Sequence, residues 1–155
     1  MKSVLFVCLG NICRSPTVEG IFLQKVKELG LEDQFKIDSA GTSAHHVGEE
    51  ADGRMQFHAG KRGYNLPSLA RQFNPKTDFL NFDYIITMDD SNYRNVVADA
   101  HSEDDRNKVQ KMTSFCKVHN ITEVPDPYYR GEAGFEHVMD ILEDACTELL
   151  AKLTE

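Results

Sequence analysis

The sequence predicts an α/β doubly wound domain. Short apolar runs of strand length alternate along the chain with longer segments that are apolar at helical spacing. The first of those runs is apolar at nearly every position, the mark of a strand covered on both faces in a parallel sheet. Glycines and helix-start residues fall between the segments, where a strand–helix alternation needs its turns.

Residues 2–8, KSVLFVC, form that first strand. Ser15 and Pro16 then read as an N-cap and a first-turn proline. Val18, Ile21, Phe22, Val26 and Leu29 follow at helical spacing, and Gly30 closes the helix. Residues 35–39 predict a second strand, followed by a loop through Gly48 and a weaker helix that reaches about Arg62 and stops at Gly63. Residues 82–88, FDYIITM, predict a third buried strand. Asp89, Asp90 and Ser91 are helix-start residues that open a short helix to about Ala100. Residues 108–114 predict a fourth strand. Phe135, Val138, Met139, Leu142, Ala145, Cys146, Leu149, Leu150 and Leu153 mark a long amphipathic C-terminal helix. Such alternation implies right-handed crossovers and a parallel sheet. Ligands of such sheets sit beyond the carboxyl ends of the strands, which is where Cys8 falls.

Length and charge narrow the function. The 155 residues suit one domain, and no repeat, low-complexity tract or linker divides them, so residues 1–155 are expected to act as a single unit. Acidic side chains outnumber basic ones 25 to 17, a net charge of -8, which argues against binding the phosphate backbone of nucleic acid. No apolar run approaches the ~20 residues of a bilayer span, and the N-terminal run is too short for a secretory signal. No membrane association is expected. The four cysteines are too few and too unevenly spaced for a disulfide framework, which points to a reducing cytoplasm.

The segment Cys8-Leu9-Gly10-Asn11-Ile12-Cys13-Arg14-Ser15-Pro16 carries the chemistry. With four Cys and seven Arg in the chain, a Cys six positions before an Arg arises by chance in roughly one such sequence in five. The context raises its meaning, because the pair spans the junction of a buried strand and a helix. Gly10-Asn11 is a dipeptide tolerant of positive φ. Such a loop can turn successive N–H groups toward one point, an anion nest above a helix N-terminus. A cysteine in that nest gains N–H groups, the helix dipole and Arg14 in favour of its thiolate. Arg14 supplies a planar fork for two phosphate oxygens, and Ser15 can donate to the sulfur. Covalent phosphoryl transfer in such a site needs no metal or cofactor. The competing readings are a small buried cysteine at a strand end, or a zinc site on Cys8 and Cys13. The second lacks a further close pair of ligands, since Cys116 and Cys146 stand far apart.

Ester cleavage also needs a proton for the departing oxygen. Val124-Pro125-Asp126-Pro127-Tyr128-Tyr129 offers Asp126 on a loop stiffened by two prolines, with Tyr128 and Tyr129 able to stack on an aromatic leaving group. Taken alone, this segment reads more readily as a surface turn with a helix-capping Asp and two half-buried tyrosines.

Together these two segments resemble the low-molecular-weight protein tyrosine phosphatases. Residues 38–42, 70–72, 82–85 and 88–92 look like further family segments in family order. The resemblance implies a flavodoxin-like, four-stranded parallel sheet with helices on both faces. It implies Cys8 as nucleophile through a cysteinyl-phosphate, Arg14 as phosphate clamp and Asp126 as general acid. It also implies a phosphate-binding loop of Leu9, Gly10, Asn11, Ile12, Cys13 and Ser15, with Asn11 holding its curled shape and Ser15 supporting the thiolate. Cys13 is either a small loop filler or, as the family favours, a partner for an oxidised Cys8.

The substrates so implied are phosphotyrosine proteins, such as an autophosphorylated tyrosine kinase, with inorganic phosphate or vanadate as inhibitor and a monomer as the working form. His45 stands where the family often has Trp or Tyr on the cleft rim, beside Tyr128 and Tyr129. Ser68 stands where many members carry a His that supports the loop serine. His46, His58, His101, His119 and His137 read as surface residues. Two other functions compete. Arsenate reduction uses the same loop in resembling proteins but needs relay cysteines, and residues 73–90 contain none. A phosphate or phosphopeptide binding module would need neither Cys8 nor Asp126.

Overall fold

Strand β1 (Lys2–Cys8) is buried at six of its seven positions because strands pair with it on both sides. The computed structural model describes residues 1–128 and 131–155. β1 lies between β2 (Phe35–Gly41) and β3 (Tyr84–Thr87), and β4 (Val109–Lys111) pairs with β3. All pairings are parallel, in the order β2-β1-β3-β4. Helices complete the layers: α1 (Arg14–Glu28), α2 (Gly53–Lys61), α3 (Pro75–Asn81), α4 (Asp90–Ala98), α5 (Glu103–Asn107) and α6 (Glu132–Leu153). Among the described residues no helix is long and apolar enough to cross a membrane.

Alternation along β1 feeds two cores. Val4, Phe6 and Cys8 pack into one with Val18, Ile21 and Phe22 of α1 and the apolar face of α6. Leu5 and Val7 point the other way, to Phe73, Phe79, Phe82 and Val96. Phe6, Phe22 and Phe35 meet edge to face with centroids 5.7 and 5.6 Å apart. Each such buried ring stabilises the fold by about 1.5–3 kcal/mol. The end of β1 is thereby held rigid at Cys8.

Several local expectations are corrected. Ser15 is not an N-cap: α1 starts at Arg14, Cys13 is the cap position, and no side chain caps it. The Ser15 hydroxyl is instead engaged with Cys8 and Asn11. β2 runs on to Gly41, while β3 and β4 are shorter than their apolar runs, and residues of the expected fourth strand form a 3₁₀ turn (Met112–Phe115). Helices α3 and α5 are too short to show a periodic pattern, though Asn74 and Ser102 cap them. The acidic run Glu103-Asp104-Asp105 is the first turn of α5, where negative charge complements the helix dipole. His58 is not on the surface; it is buried, stacked on Phe135 and paired with Glu136.

Candidate active site

The carboxyl ends of three strands converge on one place. Cys8 pairs in register with Gly41 at the end of β2, and Asp89 follows the end of β3. The loop after Cys8 is braced from outside: Thr42 N–H donates to Cys8 O, Ser43 N–H to Leu9 O and Asp52 N–H to Ile12 O, at 2.9, 2.9 and 2.7 Å. Its carbonyl oxygens are thus committed to the scaffold. Asn11 is the one non-glycine residue at positive φ among the described residues, at 58°. That conformation costs about 1–2 kcal/mol and persists because its side chain is fully engaged. Asn11 Oδ1 accepts from Arg71 N–H at 3.0 Å, and Nδ2 donates to Ser15 Oγ at 2.8 Å and Ser39 Oγ at 2.9 Å.

Those bonds orient the protons around the sulfur. Ser15 Oγ accepts from Asn11, so its own proton is available to Cys8 Sγ, 2.9 Å away, with Ala40 O a weaker alternative at 3.4 Å. Asn11 N–H donates to the same sulfur at 3.3 Å. Behind them Ser39 donates to Glu19 Oε1 at 2.5 Å. Burial pushes the Glu19 carboxyl above its ordinary value, against the hydrogen bonds of Ser39 and Ser68. The network around Ser15 is therefore closed by a carboxyl and two serines, Ser68 among them standing where many family members carry a His.

Arg14 is 3% exposed. Its Nη1 donates to Asp89 Oδ2 at 2.7 Å and to Val124 O at 3.0 Å, and Nη2 lies 3.7 Å from Asp126 Oδ2. Burial pulls the guanidinium down, but Cys8, Asp89 and Asp126 outweigh it and hold the group above its ordinary value. It stays charged. Cys13 is opposite in character. Burial, then Asp52, Asp126 and Cys8, push its thiol well above the ordinary range. Both cysteines are free thiols.

A cavity of about 220 Å³ opens over Cys8, between the loop on one side and Asp126 and Tyr128 on the other, with Ser43, His45 and His46 closing it. Asp126 Oδ1 accepts from Tyr128 N–H at 3.0 Å, a turn that sets the carboxylate toward the loop. A larger, open hollow of about 670 Å³ lies between residues 72–75 and α4, but its one titratable wall group is Asp99. The chemistry-bearing groups are all in the smaller cavity.

Of the residues expected from sequence, Cys8, Leu9, Gly10, Ile12, Cys13, Arg14, His45, Asp126 and Tyr128 line that cavity. Asn11 and Ser15 sit buried behind it. Tyr129 lies outside the described residues. Asp89, Glu19, Ser39 and His46 were missed. Asp89 had a signal, since an acid just past a parallel strand stands at the ligand edge of the sheet. His46 was set aside as a surface residue, yet it walls the cavity.

A parallel α/β sheet with a cysteine at its carboxyl edge, in an arginine-bearing strand-to-helix loop facing an aspartate, defines a class of cysteine-dependent phosphatases. The chain belongs to the low molecular weight phosphotyrosine protein phosphatase family, whose model matches residues 3–155. It is 49% identical over 150 residues to a Synechocystis sp. protein assigned to the low molecular weight protein-tyrosine-phosphatases, covering 97% of this chain and 95% of that one. It is 40% identical to the low molecular weight protein-tyrosine-phosphatase of Streptomyces coelicolor, covering 98% and 93%. A crystal structure of protein tyrosine phosphatase from Entamoeba histolytica superposes with a TM-score of 0.96 at 45% identity, covering 99% and 97%. The chain is a hydrolase of the protein tyrosine phosphatase type.

Proposed function

We propose that residues 1–155 act as one catalytic domain that hydrolyses phosphotyrosine and other aryl phosphate monoesters through Cys8. The observation that carries this reading is the Cys8 sulfur, which receives hydrogen bonds from Ser15 and Asn11 in a cavity shared with Arg14 and Asp126. The Cys8 thiolate attacks phosphorus from the loop side. Arg14 and the loop N–H groups bind the phosphoryl oxygens as charge moves onto them. The bond from phosphorus to the phenolic oxygen breaks, and Asp126 in its acid form gives that oxygen a proton. A cysteinyl-phosphate and a free phenol result. Asp126, now a carboxylate, takes a proton from the water that attacks phosphorus, and the phosphorus–sulfur bond breaks to return thiolate and phosphate.

His45 and Tyr128 are assigned to the cleft rim, where the tyrosine ring of the substrate would stand. The proposed substrates are phosphotyrosyl proteins of the cytoplasm, an autophosphorylated tyrosine kinase among them, and the working form is a monomer. Inorganic phosphate and vanadate are expected competitive inhibitors, because they fill the same cradle.

Cys8→Ser should abolish hydrolysis of p-nitrophenyl phosphate and of phosphotyrosyl peptides. Substantial residual activity would remove Cys8 from the nucleophile role. Asp126→Ala should slow turnover most for phenols of high pKa. Equal slowing for all leaving groups would remove the acid role.

A further inference from the structure

The charges around the cavity do not balance in favour of an anion. Among the described residues that line it, Arg14 is the one permanently positive group; it shares its charge with Asp126 on the wall and with Asp89 outside it, while Arg54 stands over the outer Tyr128 ring. A phosphoryl dianion entering this space gains from the loop N–H groups and from an Arg14 whose charge is already shared with carboxylates. A further group that can acquire positive charge would add to the hold on the anion.

His46 is placed for that. Its ring lies against the flank of Gly10, so closely that a Cβ on Gly10 would stand 2.9 Å from His46 Cδ2. The ring meets His45 edge-on at 4.7 Å and Tyr128 at 6.2 Å. Nδ1 is 2.9 Å from Glu49 Oε2. A carboxylate acceptor fixes the proton on Nδ1, so Nε2 is the atom that changes with protonation. It accepts when the ring is neutral and donates when the ring is charged. The His46–Glu49 pair carries one net negative charge in the first state and none in the second. The other titratable or charged groups of the cavity wall are His45, Tyr128, Asp126, Cys8, Cys13 and Arg14, with the Arg54–Asp52 pair of the α2 start behind Tyr128.

We propose that His46 is an anion-binding residue of this site, taking up a proton as the phosphoryl group of the substrate binds and turning a repelling wall into a donor. The proposal rests on the phosphatase reading above and deepens it. It assigns to His46 and Glu49 a share of substrate capture that Arg14, already paired, cannot supply alone. Protons and charge balance through the solvent, since binding draws one proton to the imidazole and release returns it.

The test is competitive inhibition of p-nitrophenyl phosphate hydrolysis by inorganic phosphate, from pH 5.5 to pH 8, in wild type, His46→Phe and His46→Gln. Phe keeps a ring against Gly10 and Tyr128; Gln keeps a polar side chain. Ionisation of phosphate itself is common to all three proteins, so the quantity read is the ratio of variant to wild-type Ki at each pH. Ki does not depend on the fraction of protein that is folded. At pH 5.5 both variants should bind phosphate about fivefold to tenfold more weakly, the scale of one unit charge facing the anion, and the ratio should fall below about two by pH 8. A ratio that is flat with pH, at one or at any other value, overturns the proposal. Wild type that neither hydrolyses the ester nor binds phosphate would instead remove the functional reading, and this inference with it.

Discussion

One carboxylate, that of Asp89, joins the phosphate loop to helix α4. Its Oδ2 accepts from Arg14 Nη1 at 2.7 Å, while its Oδ1 accepts from Asn92 N–H at 2.8 Å as the N-cap of α4. The orientation of the guanidinium is thereby tied to a helix start on the far side of β3. The two roles separate by substitution. Asp89→Asn keeps a good cap but loses the charge, so kcat/KM for aryl phosphates should fall about tenfold and Tm should drop as the buried Arg14 loses a partner. Asp89→Ala loses both, and should add about 1 kcal/mol of destabilisation. Steady-state kinetics and thermal denaturation together read the two effects; equal stability losses in both variants would contradict the assignment.

Gly41 sets how closely β2 approaches the loop. A Cβ there would stand 2.6 Å from Leu9 O and 3.1 Å from Asn11 N, both backbone atoms that cannot swing aside. Gly41→Ala must therefore displace the loop. Overpacking of this kind costs about 1–3 kcal/mol, and the loop should move enough to lower kcat/KM about tenfold or more. A variant with wild-type kinetics would show that the loop yields without consequence.

Glu19 links folding to pH. Burial raises its carboxyl in the folded protein, so the folded state holds the proton more tightly than the unfolded chain does. The contribution is complete below the unfolded value of about 4.5 and is lost as pH rises through the folded value. Glu19→Gln keeps a partner for Ser39 without the charge. Its Tm relative to wild type should rise as pH is raised above about 4.5 and level off once the folded carboxyl is ionised. A constant difference across that range would mean that Glu19 does not titrate with folding.

Asp144 of α6 behaves in the opposite sense. Burial would raise it, but His119 Nδ1 and the N–H groups of His119, Lys117 and Val118 all favour the carboxylate and hold it near about 2. The stability it lends is present above the unfolded value of about 4 and is lost as pH falls through about 2. Asp144→Asn should cost about 2–3 kcal/mol at neutral pH. The gap to wild type should narrow on acidification, which denaturant titrations at pH 7 and pH 3 would measure.

The α/β class, the first strand and the first and last helices were readable from the chain itself, and so were Cys8 and Asp126 as candidates, which the structure places on one cavity. Each is a local pattern: an apolar run, a 3.6-residue period, a glycine past a helix end, or a short motif whose residue types suit one chemistry. The placement of neighbours was not readable, because it depends on which strand ends lie side by side. Asp89 reads in sequence as a helix cap, and only the β1–β3 pairing brings it to Arg14. Glu19 and Ser39 stand 20 positions apart and meet only because α1 packs over β2. Ser15 has the residue type of a cap, but burial beside Cys8 and Asn11 redirects its hydroxyl. His46 has no sequence mark to set it apart from its neighbour, and the close approach of its loop to Gly10 makes it a wall of the cavity. Local sequence determined which groups could carry out the reaction. The sheet decided which of them share one cavity, where groups as buried as Cys8 and Arg14 feel a hydrogen bond or a charge more strongly than they do in solvent.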